Sequence, residues 1–258
     1  MKLERHGKGP QTFLGIHGWA GSRHTFRRVM KHMPENASFY GCDLPGYGDT
    51  QRPERLDRDA VMAAIIEAMG EIADPNLTLV GNCGGALLAL EALRLAPDYG
   101  TRAVLIDPFA YPPLYFRIFT WGSFGRYAYL STFANPLGRL FTNGALRRNR
   151  TGTTNLTSAF RAVDHDVALD YIRLLCSFEH ASRFAGMQNP VDIVFGERTF
   201  AAIRRSLPIW REVLPNLRCT ELRGAGHEPI REATEQLAEV IFETAPTTSA
   251  SPAAEASC

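Results

Sequence analysis

The sequence has no cysteine pattern of the kind that builds a disulfide framework or a zinc site. Its five cysteines are an odd number, lie far apart in the chain and form no Cys-x-x-Cys pair. No histidines stand near them at the spacing of zinc ligands, and no His-Glu-x-x-His segment is present. We therefore expect a protein without structural disulfides, without a metal ion and without another cofactor.

An excess of one charge and a long apolar run are also missing. The chain has 28 Lys and Arg against 27 Asp and Glu, and a net charge of +1 excludes an overall attraction to nucleic acid or to an anionic membrane. No apolar run approaches the roughly 20 residues of a membrane span, and MKLERHGKGP at the start lacks the apolar part of a secretory signal. These features predict a cytoplasmic protein that binds neither nucleic acid nor membrane.

Short apolar runs alternate with helical patterns along the 258 residues. Each run is bounded by turn residues, and together they predict strands at 12–16, 39–44, 77–82, 103–107, 191–196 and 218–224. Between them, apolar residues at helical spacing predict helices over 59–72 and 84–95. Strands that are apolar on both faces and separated by helices indicate an α/β fold, with a mostly parallel sheet covered by helices on both faces.

One long segment interrupts this alternation. Residues 111–187 contain many aromatic side chains but no convincing strand, and a stretch of that length is too long for a bare loop. We interpret it as a helical lid inserted into a core formed by residues 1–110 and 188–244. The final residues, 245–258, are small, polar and Pro-containing, which predicts a disordered tail.

The segment Gly81-Asn82-Cys83-Gly84-Gly85 lies between a predicted strand and a predicted helix. A side chain on such a sharp turn projects above the sheet, and the flanking glycines remove Cβ atoms that would clash there. The amino terminus of the following helix favours a thiolate at position 83. Cys83 is therefore a candidate nucleophile. The alternative interpretation is a small buried cysteine at a close contact between strand and helix.

This segment resembles the G-x-S-x-G motif of the α/β-hydrolase family, with cysteine in place of serine. Three further segments match that family in the expected order: Ile16-His17-Gly18-Trp19 resembles its oxyanion loop, Asp43-Leu44-Pro45-Gly46-Tyr47-Gly48 its D-x-P-G-x-G turn, and Gly224-Ala225-Gly226-His227 the loop of its catalytic histidine. The resemblance implies an α/β-hydrolase fold in which residues 111–187 correspond to the variable cap.

The resemblance also implies roles for the other site residues. His227 would be the base that holds Cys83 as a thiolate and later passes a proton to a leaving group or to water. The backbone N–H groups of Trp19 and Gly84 would form the oxyanion hole. The family position of His17 shapes the oxyanion loop and transfers no protons.

The acid that orients His227 is not where most family members carry it. That position is occupied by Thr199. Asp107 is the last residue of the predicted strand at 103–107, at the sheet edge where open α/β sheets build their sites, and haloalkane dehalogenases resemble this arrangement. We expect Asp107 to be the acid and keep Glu197 in reserve. The alternative role of Asp107 is that of a turn or N-cap residue before Pro108.

Cysteine, histidine and aspartate with an oxyanion hole predict acyl transfer through a thioester on Cys83, with esters, thioesters or lactones as substrates in acyl or polyketide-type biosynthesis. One alternative is a Dieckmann-type cyclase that closes a ring from a carrier-bound acyl chain, and another is a non-catalytic binding protein on a hydrolase fold. The arginines at 147, 148 and 150 could meet an acidic carrier protein or be a solvated turn. The predicted partner is a small acyl substrate, free or carrier-bound.

Overall fold

A seven-stranded sheet organises the part of the chain that the structure, a computed structural model, describes: residues 1–152, 154–178 and 180–243. Its strand order is β1-β3-β2-β4-β5-β6-β7. All neighbours are parallel except β1 and β3, which are antiparallel. The strands are β1 Lys2–Gly7, β2 Gln11–Ile16, β3 Ala37–Asp43, β4 Thr78–Asn82, β5 Arg102–Ile106, β6 Val191–Gly196 and β7 Leu217–Leu222.

The six strands predicted from the sequence are β2 to β7, with ends that differ by up to two residues. The predicted strands did not include β1. This edge strand, KLERHG, is charged and only partly buried, so it lacks the apolar run on which the other predictions rest. Asp107, expected as the last residue of its strand, lies just after β5.

Helices cover both faces of the sheet, as expected for a mostly parallel sheet. One apolar cluster packs α1 and α2 with α7 against the sheet, and a second cluster packs α9 against the opposite face. The α-helices are α1 Arg58–Ile72, α2 Gly84–Leu95, α3 Leu114–Arg117, α4 Gly122–Tyr129, α5 Pro136–Ala145, α6 His165–Cys176, α7 Ala201–Val213, α8 Pro229–Glu232 and α9 Thr234–Phe242. None of the described helices is both long and apolar enough to cross a membrane.

The segment between β5 and β6 is helical, and its described residues contain no strand. Four of the helices, α3 to α6, lie there together with short 3-10 turns such as Leu146–Asn149. Aromatic side chains of this segment, among them Tyr129, Phe133 and Phe160, form a separate apolar cluster against Trp19. We call residues 111–187 the helical insertion. The tail predicted over residues 245–258 lies outside the described residues.

Candidate active site

Cys83 occupies the turn between β4 and α2, in a backbone conformation that residues other than glycine rarely adopt. Its φ is 51° and its ψ is −113°. The Cys83 amide donates to the carbonyl oxygen of Ile106 at 2.8 Å, which fixes the turn against the end of β5. The strained conformation is held by its surroundings, as is common where a side chain must project into a site.

The glycines around Cys83 allow the backbone to fold this tightly. A Cβ atom on Gly81 would lie 2.4 Å from the Cα atom of Ala86, and one on Gly85 would lie 2.3 Å from the carbonyl oxygen of His17. A Cβ atom on Gly18 would lie 3.2 Å from the Cβ atom of Cys83. The loop after β2 therefore packs directly on the Cys83 turn.

His227 and Asp107 meet beside this turn, although 120 residues separate them in the chain. The Nδ1 atom of His227 lies 2.8 Å from the Oδ2 atom of Asp107, and the carboxylate is completely buried. The Cys83 side chain lies close enough to the same imidazole to raise its pKa, by hydrogen bonding and by charge. Because Nδ1 is engaged by Asp107, Nε2 is the nitrogen left for Cys83. The structure thus joins sulfur, imidazole and carboxylate in one chain of contacts.

The protonation of this chain follows from its contacts. Burial alone would lower the pKa of His227, but the hydrogen bonds with Asp107 and Cys83 outweigh it and raise that pKa to about 10. Burial raises the pKa of Asp107, while the hydrogen bonds from His227 and Thr199 act in the opposite direction and stabilise the carboxylate. The contacts with Asp107 and Cys83 therefore favour the protonated form of His227.

Thr199, the residue in the usual acid position of the family, contacts the acid. Its hydroxyl donates to the same Oδ2 atom of Asp107 at 2.8 Å, and its side chain is buried. Glu197, the reserve candidate, is exposed and accepts a hydrogen bond from the amide of Gly224 at 2.7 Å. Of these two carboxylates, Asp107 is the one hydrogen-bonded to His227.

His17 shapes the loop on the other side of the sulfur. The Leu44 amide donates to its Nε2 atom at 3.2 Å, so Nδ1 carries the hydrogen and donates to the carbonyl oxygen of Gly18 at 2.8 Å. Burial lowers the pKa of His17 to about 4, which keeps the ring neutral. The ring thus links the Gly18-Trp19 backbone to the turn after β3.

The two amides expected to form an oxyanion hole flank the Cys83 turn. Gly84 is the first residue of α2, and the first amides of a helix have no partner within it. Trp19 follows Gly18, the residue whose backbone approaches the Cβ atom of Cys83. The indole of Trp19 donates to the carbonyl oxygen of Ala168 at 2.8 Å, which ties this loop to α6.

A narrow apolar cavity of about 30 Å³ lies at Cys83. It is formed jointly by the core and the helical insertion. Its lining includes Trp19, Leu87, Phe109, Phe116, Ile172 and Leu175. Its apolar lining favours an apolar group over a charged one beside the sulfur.

The structure therefore brings together Cys83, His227 and Asp107, with the loops of Trp19 and Gly84 beside them, and leaves Glu197 outside their hydrogen bonds. Sequence reasoning missed the contact of Thr199 with Asp107 and that of Asn149 with the His227 loop. The threonine in the family's acid position was itself a signal for the first. No local pattern pointed to the second, because Asn149 lies in the insertion, which matches no motif.

Among the described residues, no group of three or more His, Cys, Asp or Glu side chains is arranged so that it could hold a metal ion.

A family model places this site in a known context. The model of the alpha/beta hydrolase fold matches residues 11–234, which is most of the chain and includes Cys83, Asp107 and His227. The chain belongs to the α/β-hydrolase family. Its mostly parallel seven-stranded sheet with helices agrees with this fold.

Individual relatives in the family are distant. The chain is 32% identical over 95 residues to a pimeloyl-[acyl-carrier protein] methyl ester esterase of Neisseria meningitidis, a match that covers 37% of this chain and 29% of the relative. It is 28% identical over 167 residues to the enzyme of that name from Xylella fastidiosa, covering 62% of this chain and 61% of the relative. The matched parts thus span less than two thirds of these curated relatives.

Solved structures share the fold over nearly the whole chain. The esterase EaEST from Exiguobacterium antarcticum superposes with a TM-score of 0.77 at 15% identity, covering 93% of this chain and 92% of that one. At this identity the likeness concerns the fold, and any chemistry has to be argued from the site.

Proposed function

We propose that this protein is an acyl-transfer hydrolase that cleaves carboxylic esters or thioesters through a thioester intermediate on Cys83. The observation that carries the proposal is the continuous contact from Cys83 through His227 to the buried Asp107. A thiol, a base and an orienting acid in this order are the parts that nucleophilic acyl transfer needs.

The first half of the reaction forms the thioester. The Cys83 thiolate attacks the carbonyl carbon of the substrate, and the carbonyl oxygen becomes an oxyanion that accepts hydrogen bonds from the amides of Gly84 and Trp19. The carbon–oxygen or carbon–sulfur bond of the leaving group then breaks. His227 gives its Nε2 proton to the departing alkoxide or thiolate and becomes neutral, while Asp107 keeps the ring oriented through Nδ1.

The second half restores the enzyme. A wider groove of about 820 Å³, which borders Trp19 and Asn82, supports the entry of water to this edge of the site. Neutral His227 takes a proton from that water, the hydroxide attacks the thioester carbon, and the bond to Cys83 breaks. The products are a carboxylic acid and the thiolate, again paired with protonated His227.

The apolar cavity and the relatives favour an acyl chain as substrate. The side chains that line the cavity at Cys83 are apolar and suit contact with a hydrocarbon, and the matched relatives are named for methyl esters of an acyl group linked to a carrier protein. A carrier-linked acyl ester or thioester from a biosynthetic route fits both observations.

The charge of the helical insertion supports a carrier as partner. Residues 111–163 contain no Asp, Glu or Lys, and their seven arginines are Arg117, Arg126, Arg139, Arg147, Arg148, Arg150 and Arg161. Since the whole chain has a net charge of +1, the remainder has a formal net charge of −6. This basic segment, of which Tyr111 and Phe116 line the cavity, complements an acidic carrier protein.

Product masses test the proposal against its alternatives. The protein is incubated with acyl esters and with thioesters that bear a β-keto group, and the products are weighed. Hydrolysis adds one water to the acyl group and is lost in Cys83→Ala. A ring with the mass of the acyl group without added water would instead identify a cyclase. No product from any ester or thioester would identify a binding protein and refute the proposal.

A further inference from the structure

The helical insertion makes a direct hydrogen bond to the loop that carries His227. The backbone amide of His227 donates to the carbonyl oxygen of Asn149 at 2.8 Å. Gly226, the preceding residue, has no side chain, and a Cβ atom there would lie 2.4 Å from that same oxygen and 2.6 Å from the Cα atom of Arg150. The backbone of the insertion therefore rests on the histidine loop at a distance that only glycine allows.

The side chain of Asn149 reaches the loop on the other side of the acid. Its Nδ2 atom donates to the carbonyl oxygens of Arg198 at 3.2 Å and of Thr199 at 3.1 Å. The hydroxyl of Thr199 in turn donates to Asp107. One residue of the insertion thus joins the loop of the imidazole to the loop that holds the acid in place.

Glu232 at the end of α8 adds a second connection between the same segments. Its Oε1 atom accepts from the amide of Thr151 at 2.8 Å, and its Oε2 atom accepts from the amide of Gly226. The carboxylate therefore bridges the insertion just after Asn149 to the loop just before His227. Two adjacent points of the insertion are fixed to the site by hydrogen bonds.

From these contacts we infer that Asn149 is a positioning residue, which holds His227 and the Thr199-Asp107 pair in register with Cys83 and makes the site complete only when the insertion is seated on the core. The role follows from the geometry, since Asn149 touches neither the sulfur nor the imidazole ring but fixes both loops around them. The inference rests on the proposed function only for its effect on turnover.

The effect of the side chain can be isolated. In Asn149→Ala the backbone carbonyl that accepts from His227 remains, but both bonds to residues 198 and 199 are lost, so the acid and the imidazole are no longer tied to each other from outside. Loss of alignment of this kind lowers kcat by about tenfold to hundredfold. KM for a small soluble ester stays near that of the wild type, because Asn149 does not line the cavity at Cys83.

A measurement that needs no substrate separates this inference from the proposed function. The rate at which iodoacetamide alkylates Cys83 is followed against pH, with the modified peptide identified by mass. The imidazole of His227 activates the neighbouring sulfur as a nucleophile. In Asn149→Ala the alkylation rate of Cys83 near neutral pH should fall about threefold or more, because the imidazole is held less closely to the sulfur.

Asn143→Ala is the matched control, since Asn143 also belongs to the insertion and its Oδ1 atom accepts from the amide of Leu156 at 3.0 Å, within the insertion. Its profile should equal that of the wild type. Should Asn149→Ala not fold, Asn149→Asp carries the test, because it keeps the size of the side chain but has no N–H to donate. A wild-type alkylation rate in the Asn149 variant, or an equal loss of rate in Asn143→Ala, overturns the inference. If the loss of rate occurs but no ester is cleaved, the positioning role stands and the proposed hydrolysis fails.

Discussion

At the scale of single residues, one carboxylate oxygen serves two partners. The Oδ2 atom of Asp107 accepts from the Nδ1 atom of His227 and from the hydroxyl of Thr199, both at 2.8 Å. The carboxylate thus fixes which nitrogen of His227 carries the hydrogen towards it and which faces Cys83. Tautomer control of this kind requires an acceptor-only group, which a carboxylate is and an amide is not.

Replacing this acceptor tests its role against the other candidate acid. Asp107→Asn should lower kcat for ester hydrolysis by roughly 10³ to 10⁴, because an amide can present an N–H to the ring and favour the wrong tautomer. Glu197→Gln should have little effect on kcat, since Glu197 is exposed and its side chain accepts a hydrogen bond from the Gly224 amide. The kcat values of the two variants are measured at saturating substrate and compared. A larger loss of kcat in Glu197→Gln than in Asp107→Asn would identify Glu197 as the acid.

The protonation of His227 also predicts how stability depends on pH. Its pKa is about 10 in the folded protein and 6.5 when unperturbed. Because the folded value is raised, the contribution of this group is fully present below pH 6.5 and is lost as pH rises towards 10. Urea unfolding of the wild type and of His227→Gln, compared from pH 6 to about pH 10, should give a stability difference that declines with pH. A difference that grows over this range would contradict the imidazolium assignment.

At the scale of secondary structure elements, the start of α2 is fixed by contacts between backbones. A Cβ atom on Gly85 would meet the carbonyl oxygens of Ile16 and His17 at 2.4 and 2.3 Å, and neither can move without shifting β2. A Cβ atom on Gly84 would meet the Cδ1 atom of Leu175 at 2.6 Å, the end of a flexible side chain. Glycine is therefore required at position 85 by neighbouring backbone, whereas at position 84 it is opposed only by a flexible side chain.

These contacts predict opposite tolerance to the same substitution. Gly85→Ala should lower the free energy of unfolding by about 1–3 kcal/mol, through forced displacement of backbone. Gly84→Ala should cost much less, because Leu175 can rotate away and alanine is favoured over glycine in a helix by about 1 kcal/mol. Chemical denaturation of both variants provides the comparison. Equal losses of stability would show that the carbonyl oxygens of Ile16 and His17 do not limit the side chain at position 85.

Whether a strand or helix could be predicted from the sequence depends on its position in the fold. The core strands and α2 were predictable, because an apolar run buried on both faces leaves a clear pattern and because the glycines around Cys83 allow few other conformations. The edge strand β1 has no such pattern, since half of it faces solvent. The contact between Cys83, His227 and Asp107 could be expected only from the family resemblance, since the three lie far apart in the chain.

The contacts made by Asn149 could not be predicted at all. They depend on how the helical insertion sits on the core, which is decided by many apolar contacts such as those of Trp19 with Phe133 and Phe160. No spacing or motif in residues 111–187 encodes that placement. Sequence patterns do not predict how segments that are distant in the chain pack against each other.

At the scale of the whole molecule, charge is separated although the net charge is close to zero. The acid-free stretch 111–163 has seven arginines, and the rest of the chain has a formal net charge of −6. The overall value of +1 therefore describes neither part. A net charge near zero excludes an attraction of the whole molecule to a charged partner, but it does not exclude an attraction between the insertion and an acidic partner.

If the proposed carrier docks on this basic surface, its recognition is sensitive to salt. Raising NaCl from about 50 to about 300 mM should lower kcat/KM for a carrier-linked ester several-fold and leave a small neutral ester nearly unchanged. Charge reversal at the exposed Arg147 and Arg148 should have the same selective effect, whereas reversal at the exposed Arg205 and Arg211 of α7 should not. Equal salt dependence for both substrates would show that the insertion does not recognise the carrier through its charge.

The most direct test of the account is the mass of the protein during turnover. Rapid acid quenching of a reaction with an activated acyl ester, followed by peptide mass analysis, should find the acyl group as a thioester on the peptide that contains Cys83. The adduct should be absent from Cys83→Ala, which should also lose turnover while retaining its fold. An acyl group on a different residue, or a Cys83→Ala variant that cleaves esters at the wild-type rate, would contradict the claim that Cys83 is the nucleophile.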